Sequence, residues 1–138
     1  MPTRSLRSAS MRWPGSREVD AGFRAWARRV LATRPEVLRV GYFGSYARGD
    51  HGVGSDLDVV LVVRPSPDPF PSRVPGVDDA GLPVPADILV FTEAELDAMR
   101  RQGRRLAREI DSTAVWYDPD LPPSSAASPG PRDRRGGR

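Results

Sequence analysis

Three aspartates stand in or beside apolar runs of strand length. Asp56 and Asp58 frame the start of one run, and Asp87 lies inside another, at 84–91. A carboxylate in a buried strand is costly unless it is paired or binds a cation. Residues two apart on a strand project from the same face, so Asp56 and Asp58 point together, and Asp87 can approach them from a second strand. The three acids therefore predict a site for a hard cation such as Mg²⁺.

The alternative for each acid is a turn residue at a strand end, or an ion-pair partner for one of the many arginines. For Asp87 the two interpretations are equally supported, because nothing near it in the chain separates them. The other two acids belong to a longer pattern, in which Gly44 and Ser45 are followed by SDLD at 55–58. The five fixed letters of this pattern recur by chance in roughly one chain of this length in ten thousand.

Gly44 and Ser45 lie where a strand ends and a short helical turn can begin. Such a junction points free backbone N–H groups outward and is suited to bind a triphosphate. Glycine permits a close backbone approach, and the Ser45 hydroxyl adds one donor. A plain tight turn is the alternative, and the nearby carboxylates favour the phosphate site. Arg48 follows in a turn where it can reach a phosphate or pair with Asp50, and both interpretations stay open.

The elements that must position these residues follow from hydrophobic spacing and from turn residues. Thr92 and Glu95 form a capping box that starts a helix, and Gly103 marks a possible kink in it. The proline-rich segment 64–83 predicts a long loop without a helix. The predicted elements are a helix at 16–33, strands at 37–43, 57–63 and 84–91, a helix from 92 to 110, and a short strand at 113–117. This order predicts an α/β fold with a small mixed sheet of about four strands flanked by helices.

Composition limits the rest of the chain. Residues 1–15 and 119–138 are rich in Pro, Ser, Gly and Arg, which predicts a disordered leader and tail around one domain at 16–118. Without cysteine, thiol nucleophiles and zinc–thiolate sites are excluded. The absence of a long apolar run predicts a cytoplasmic protein without a membrane partner. The net charge of +3 arises from arginines near the two ends and is weak support for a nucleic-acid partner.

The stretch YFGSYARGDHGVGSDLDVVLVV resembles the signature of the DNA polymerase beta superfamily of nucleotidyltransferases, and within it the minimal nucleotidyltransferases. The resemblance covers about residues 19–118. It implies the polymerase beta-like fold and transfer of a nucleoside monophosphate from ATP or another NTP to an acceptor hydroxyl. One departure is the proline-rich segment 64–83, where members of the superfamily often have a helix.

The resemblance also implies roles for individual residues. Gly44 and Ser45 would hold the β- and γ-phosphates, and we assign Arg48 and Ser55 to the same nucleotide site. The implied catalytic and metal-binding residues are Asp56, Asp58 and Asp87. The first two would bridge two Mg²⁺ ions, and Asp87 would bind the catalytic metal and help to deprotonate the acceptor.

The acceptor is open at this level. Some minimal relatives are antitoxins that transfer AMP to a HEPN-type RNase toxin, so a neighbouring gene's protein is one expected partner. The main alternative is a catalytically silent module that keeps the fold and binds a nucleotide or a partner. A nucleic-acid-binding protein that uses its arginine-rich ends ranks last.

Overall fold

The structure, a computed structural model, describes residues 13–69 and 73–121. The predicted leader and tail therefore lie outside the described residues, except at 13–15 and 119–121. The helices are α1 (Ser16–Thr33), α2 (Ser45–Arg48), α3 (Glu93–Arg101) and α4 (Arg105–Thr113), and the strands are β1 (Val37–Phe43), β2 (Leu57–Val63), β3 (Ala86–Thr92) and β4 (Val115–Trp116). No helix in the described part of the chain is long and apolar enough to cross a membrane.

The four strands form one mixed sheet in the order β3-β2-β1-β4. β1 is antiparallel to both β2 and β4, whereas β2 and β3 are parallel. In this register Asp58 lies beside Phe43 on one side and beside Asp87 on the other. The predicted α/β architecture with a small mixed sheet is confirmed.

The sheet separates two hydrophobic cores. On one face, alternate residues of β2, including Val59 and Leu61, pack with the apolar stripe of α1. On the other face, Val60 and Val62 pack with α3 and α4. Because β2 is buried on both faces, its sequence is almost continuously apolar, as expected for a central strand. Asp58 has the same parity as Val60, so its side chain lies on the α3 and α4 face.

The core under α1 contains one polar pair. The Tyr42 hydroxyl donates a 2.9 Å hydrogen bond to the Asp20 carboxylate, and only 4% of Asp20 is exposed. Burial, and then the charge of Asp20, raises the pKa of Tyr42. The phenol therefore stays protonated and satisfies a carboxylate that would be costly to bury alone. The helical pattern of α1 did not predict this pair.

The segment 64–83 has neither helix nor strand in its described parts, as predicted. It is nevertheless attached to the domain. The Val74 side chain is buried in the α1 core, and the Trp26 indole N–H donates to the Asp78 carbonyl at 3.1 Å. Arg73 donates to both carboxylate oxygens of Glu95 at 2.5 and 2.7 Å.

The predicted helix from 92 to 110 is two helices, which corrects the expected kink at Gly103 to a full break. Gly103 has φ +69°, its N–H donates to the Arg100 carbonyl, and the Arg104 N–H donates to the Met99 carbonyl. This pair of bonds is a Schellman motif, which ends a helix where glycine takes the left-handed conformation. Leu96 of α3 and Ile110 of α4 then both reach the same core.

Two strand boundaries also differ from the prediction. β3 begins at Ala86 and not at Val84, because Pro85 has no N–H to donate to a ladder. β4 is shortened to two residues because α4 continues to Thr113 and is capped at Ala114. The predicted capping box is present, since Thr92 and Glu95 exchange side-chain to backbone hydrogen bonds of 2.9 and 3.1 Å.

Because of the Arg73–Glu95 pair, we expect the protein to lose part of its stability in acid. Hydrogen bonds from Arg73, followed by the Thr92 backbone N–H, lower the pKa of Glu95 from 4.5 to about 2. Because the folded-state pKa lies below the unfolded one, the stabilisation is complete above pH 4.5 and is lost as the pH falls through about 2. Glu95→Gln should therefore lower the melting temperature at pH 7 and approach the wild type near pH 2. Thermal unfolding at both pH values measures this, and an equal difference at both would contradict it.

Candidate active site

A cleft of about 680 Å³ lies between the sheet and α4. Four of the predicted site residues line it, namely Gly44, Ser45, Arg48 and Asp58. The opposite wall comes from α4 and consists of Arg105, Leu106 and Glu109. The structure thus brings the predicted phosphate turn and one predicted metal ligand to the same opening.

Gly44 allows the turn to lie directly against Asp58. Its φ is +79°, and a Cβ built there would be 2.6 Å from Oδ2 of Asp58. Any other residue would be strained by the backbone conformation and would displace the carboxylate. Ser45 follows as the first residue of α2, so its hydroxyl borders the same opening.

The three predicted acids lie at one end of the sheet. Asp58 and Asp87 are register partners on parallel strands, so their side chains project from the same face. Asp56 precedes β2 by one residue. Both Asp56 and Asp87 are exposed, whereas Asp58 is partly buried. The expectation of three buried acids thus applies only to Asp58, because Asp56 precedes the strand and Asp87 lies on the edge strand.

The electrostatics centre on Asp58. Burial raises its pKa most, and the negative charges of Asp87, Asp56 and Glu109 raise it further, while Arg48 acts in the opposite direction. The carboxylate therefore sits in an environment with an excess of negative charge, which a cation would offset. Within residues 13–69 and 73–121, no three acidic or imidazole side chains are grouped closely enough to hold a metal ion as they stand.

One expected phosphate donor already has a protein partner. The Gly44 N–H donates to the Thr113 hydroxyl at 2.9 Å, and that hydroxyl donates to the Glu109 carbonyl at 2.8 Å. The last turn of α4 therefore holds the turn at Gly44 in place. The sequence contained no signal for this contact, since Thr113 was expected to begin a strand.

Arg48 is engaged by two carboxylates. Its Nε donates to Asp50 at 3.0 Å, and its Nη1 is hydrogen-bonded to Glu109 of α4. The Asp50 hydrogen bond, and then the charges of both acids, raise the pKa of the guanidinium. The ion pair with Asp50, one of the two interpretations left open for Arg48, is present, and Glu109 is an additional partner that sequence reasoning missed. The contact of Arg48 with a phosphate stays a prediction.

Ser55 stabilises the loop before β2. Its hydroxyl accepts from the Gly52 N–H at 2.9 Å, and its carbonyl accepts from the Tyr46 hydroxyl at 2.9 Å. Tyr46 also accepts from the Trp13 indole N–H at 2.7 Å and stacks on His51 with the ring centroids 4.0 Å apart. These contacts give Trp13 a structural partner. Ser55 is not among the residues that line the cleft.

The fold resembles that of a solved nucleotidyltransferase structure. The crystal structure of a Sulfolobus solfataricus protein, described as a candidate nucleotidyltransferase, is 21% identical and superposes with a TM-score of 0.51. The match covers 73% of this chain and 80% of that protein. At this identity the likeness shows a common fold. No curated protein matches this chain.

The family model of the nucleotidyltransferase domain matches residues 24–114, which is well over half of the chain. The matched range contains the turn at Gly44 and Ser45, all three acids and the α4 wall of the cleft. This protein belongs to the nucleotidyltransferase domain family, which confirms the resemblance to the polymerase beta-like nucleotidyltransferases.

Proposed function

We propose that this protein is a Mg²⁺-dependent nucleotidyltransferase that transfers AMP from ATP to an acceptor hydroxyl. The observation that carries the proposal is the contact between the phosphate turn and Asp58. The Gly44 backbone leaves room for the Asp58 carboxylate at a distance that no side chain would permit. Polyphosphate and carboxylate are mutually repulsive, so their sites adjoin where a divalent cation links them.

The acids suit such a cation. Carboxylate oxygens are the ligands that Mg²⁺ prefers, and it usually takes few of them together with substrate phosphates and water. Asp56, Asp58 and Asp87 would hold two Mg²⁺ ions, which would stabilise the charge that develops on the attacking and leaving oxygens. The raised pKa of Asp58 is consistent with this assignment, because burial and then the neighbouring negative charges disfavour the ionised carboxylate, and a bound cation would favour it.

The chain's own residues supply binding and alignment. The Ser45 hydroxyl donates to the triphosphate. The Thr113 hydroxyl accepts from the Gly44 N–H and so keeps the turn in position to bind that triphosphate. Asp87, exposed on the edge strand, accepts the proton of the acceptor hydroxyl. An acceptor approaching the exposed end of β3 reaches Asp87 without crossing the core.

The acceptor class that we propose is a hydroxyl on a partner protein, such as a HEPN-type RNase encoded by a neighbouring gene. The open cleft supports this choice, since a large acceptor needs an accessible reacting centre. Such a pair would form a toxin–antitoxin system, with AMP transfer silencing the toxin.

The test follows the position of the label on ATP. The protein, Mg²⁺ and the neighbouring gene's product are incubated with ATP labelled either at the α- or at the γ-phosphate. We expect label on the acceptor only from α-labelled ATP, with one pyrophosphate released for each AMP transferred. Unlabelled CTP, GTP and UTP as competitors report base preference.

The matched control is the double variant Asp56→Asn, Asp58→Asn, which removes charge and changes little volume. It should release no pyrophosphate. Transfer of γ-label would replace the proposal with phosphoryl transfer. Mg²⁺-dependent ATP binding without any pyrophosphate release would instead support a catalytically silent nucleotide-binding module.

A further inference from the structure

Of the two cations that line the cleft, Arg105 is the one without a hydrogen-bond or ion-pair partner among residues 13–69 and 73–121. It is the first residue of α4, it is exposed, and it lines the cleft together with Gly44, Ser45 and Asp58. Among the residues that the structure describes, no carboxylate or carbonyl pairs with it. By contrast, the other lining cation, Arg48, is already bound by Asp50 and Glu109.

Arg105 lacks a partner within the described segments because Glu109, the nearest acid on its helix, pairs with Arg48. Glu109 is four residues after Arg105 on the same helix, a spacing at which opposite charges commonly pair. Its carboxylate instead crosses the cleft to Arg48. In the described part of the chain, no acid then pairs with Arg105, although Glu109 lies one turn away on the same helix.

The charges around the opening explain what this cation can bind. The negative charges of Asp56, Asp87 and Glu109 all act on Asp58, and Arg48 is shared between two acids. An anion that approaches Asp58 therefore meets a surplus of negative charge, to which Asp56 and Asp87 contribute from outside the lining of the cleft. Arg105 opposes that surplus from the far wall, and a guanidinium with several fixed N–H donors matches the oxygens of a phosphate chain.

We infer that Arg105 binds the polyphosphate tail of the nucleotide, so that the tail is held between α4 and Ser45. This inference rests on the proposed function, because it names a specificity residue of the same site. Its consequence is selectivity by phosphate number. A triphosphate reaches from the carboxylates to Arg105, and a shorter tail loses that contact.

The test uses tripolyphosphate and calorimetry at fixed salt and Mg²⁺ concentrations. Arg105→Gln should weaken tripolyphosphate binding roughly 10- to 100-fold, the range for a lost hydrogen bond to a charged group. It should also reduce the preference for ATP over ADP. Arg101→Gln is the matched control, since Arg101 is equally exposed but does not line the cleft. That variant should bind within about twofold of the wild type if bulk charge contributes little.

Several results would overturn the inference. They are equal weakening in both variants, unchanged binding in Arg105→Gln, no binding of tripolyphosphate by the wild type, or binding that does not compete with ATP. Melting temperatures of the variants confirm that both are folded. Failure of the proposed function appears separately, as absence of transfer from α-labelled ATP. Loss of tripolyphosphate binding in Arg105→Gln alone would then still support the role of Arg105.

Discussion

Asp58→Asn should abolish nucleotidyl transfer and make the metal-free protein more stable at neutral pH. A carboxylate that helps to hold the metal contributes several kcal/mol to transition-state stabilisation, so the rate should fall on the order of 10³-fold. The same carboxylate carries a cost in the absence of a cation, because burial and three neighbouring acids disfavour its charge. An asparagine of nearly equal volume removes that cost.

The sign of the stability effect follows from the raised pKa of Asp58. Its folded-state pKa lies above the usual 3.8, so the protonated form favours folding below that pH, and this advantage is lost as the pH rises through the folded-state pKa. The variant should therefore melt higher than the wild type at pH 7 and nearly equally at pH 3, both measured with a chelator. Asp120→Asn, an exposed acid beyond β4, is the control. Retained transfer in Asp58→Asn, or a lower melting temperature at pH 7, would refute this prediction.

Gly44→Ala should impair catalysis far more than the chemically identical change at Gly49. Both glycines have positive φ, of +79° and +85°, but Gly49 is left-handed, where alanine is strained by about 1–2 kcal/mol, whereas Gly44 has ψ −146°, a conformation that is almost restricted to glycine and costs alanine more. Only at Gly44 would the new Cβ meet the Asp58 carboxylate, at 2.6 Å, whereas nothing lies within 4 Å at Gly49. Displacing a catalytic group by about 1 Å costs on the order of 10²-fold in rate.

Steady-state rates and melting temperatures of the two variants separate the causes. Both proteins should melt lower than the wild type, Gly44→Ala more so than the Gly49 variant, and Gly44→Ala alone should lose transfer. Equal losses of activity would show that the turn conformation, and not the contact with Asp58, determines the rate.

The elements with strong hydrophobic spacing could be predicted from the sequence to the residue. α1, β1 and β2 have the bounds that their patterns indicated, because a one-sided stripe and a continuous apolar run each permit one placement against a sheet. Gly44, Ser45 and Asp58 were expected together and line one cleft. Whether Asp87 lies near Asp58 depends on the strand order, which the sequence did not determine. The parallel pairing of β2 with β3 places the two residues side by side. The catalytic roles of these residues remain predictions.

The α4 wall could not be predicted, since it depends on a contact between distant parts of the chain. In the sequence, Arg105 is one of five arginines between positions 100 and 108, which is typical of a solvated helix face, and Glu109 and Thr113 carry no local signal. Their placement follows from the break at Gly103, which changes the direction of the chain after α3. Helical spacing alone continues smoothly through this position, so a kink and a break cannot be told apart from periodicity.

The Schellman turn at Gly103 lies outside the cleft but helps to place one of its walls. Because α3 and α4 are joined by only three residues, Gln102, Gly103 and Arg104, the left-handed turn at Gly103 determines the direction of α4 and with it the position of Arg105 and Glu109. A side chain at this position would be strained in the left-handed conformation and would therefore destabilise the turn that places α4. The width of the cleft thus depends on a residue that does not line it, and we expect substitutions at Gly103 to change that width while every lining side chain stays the same.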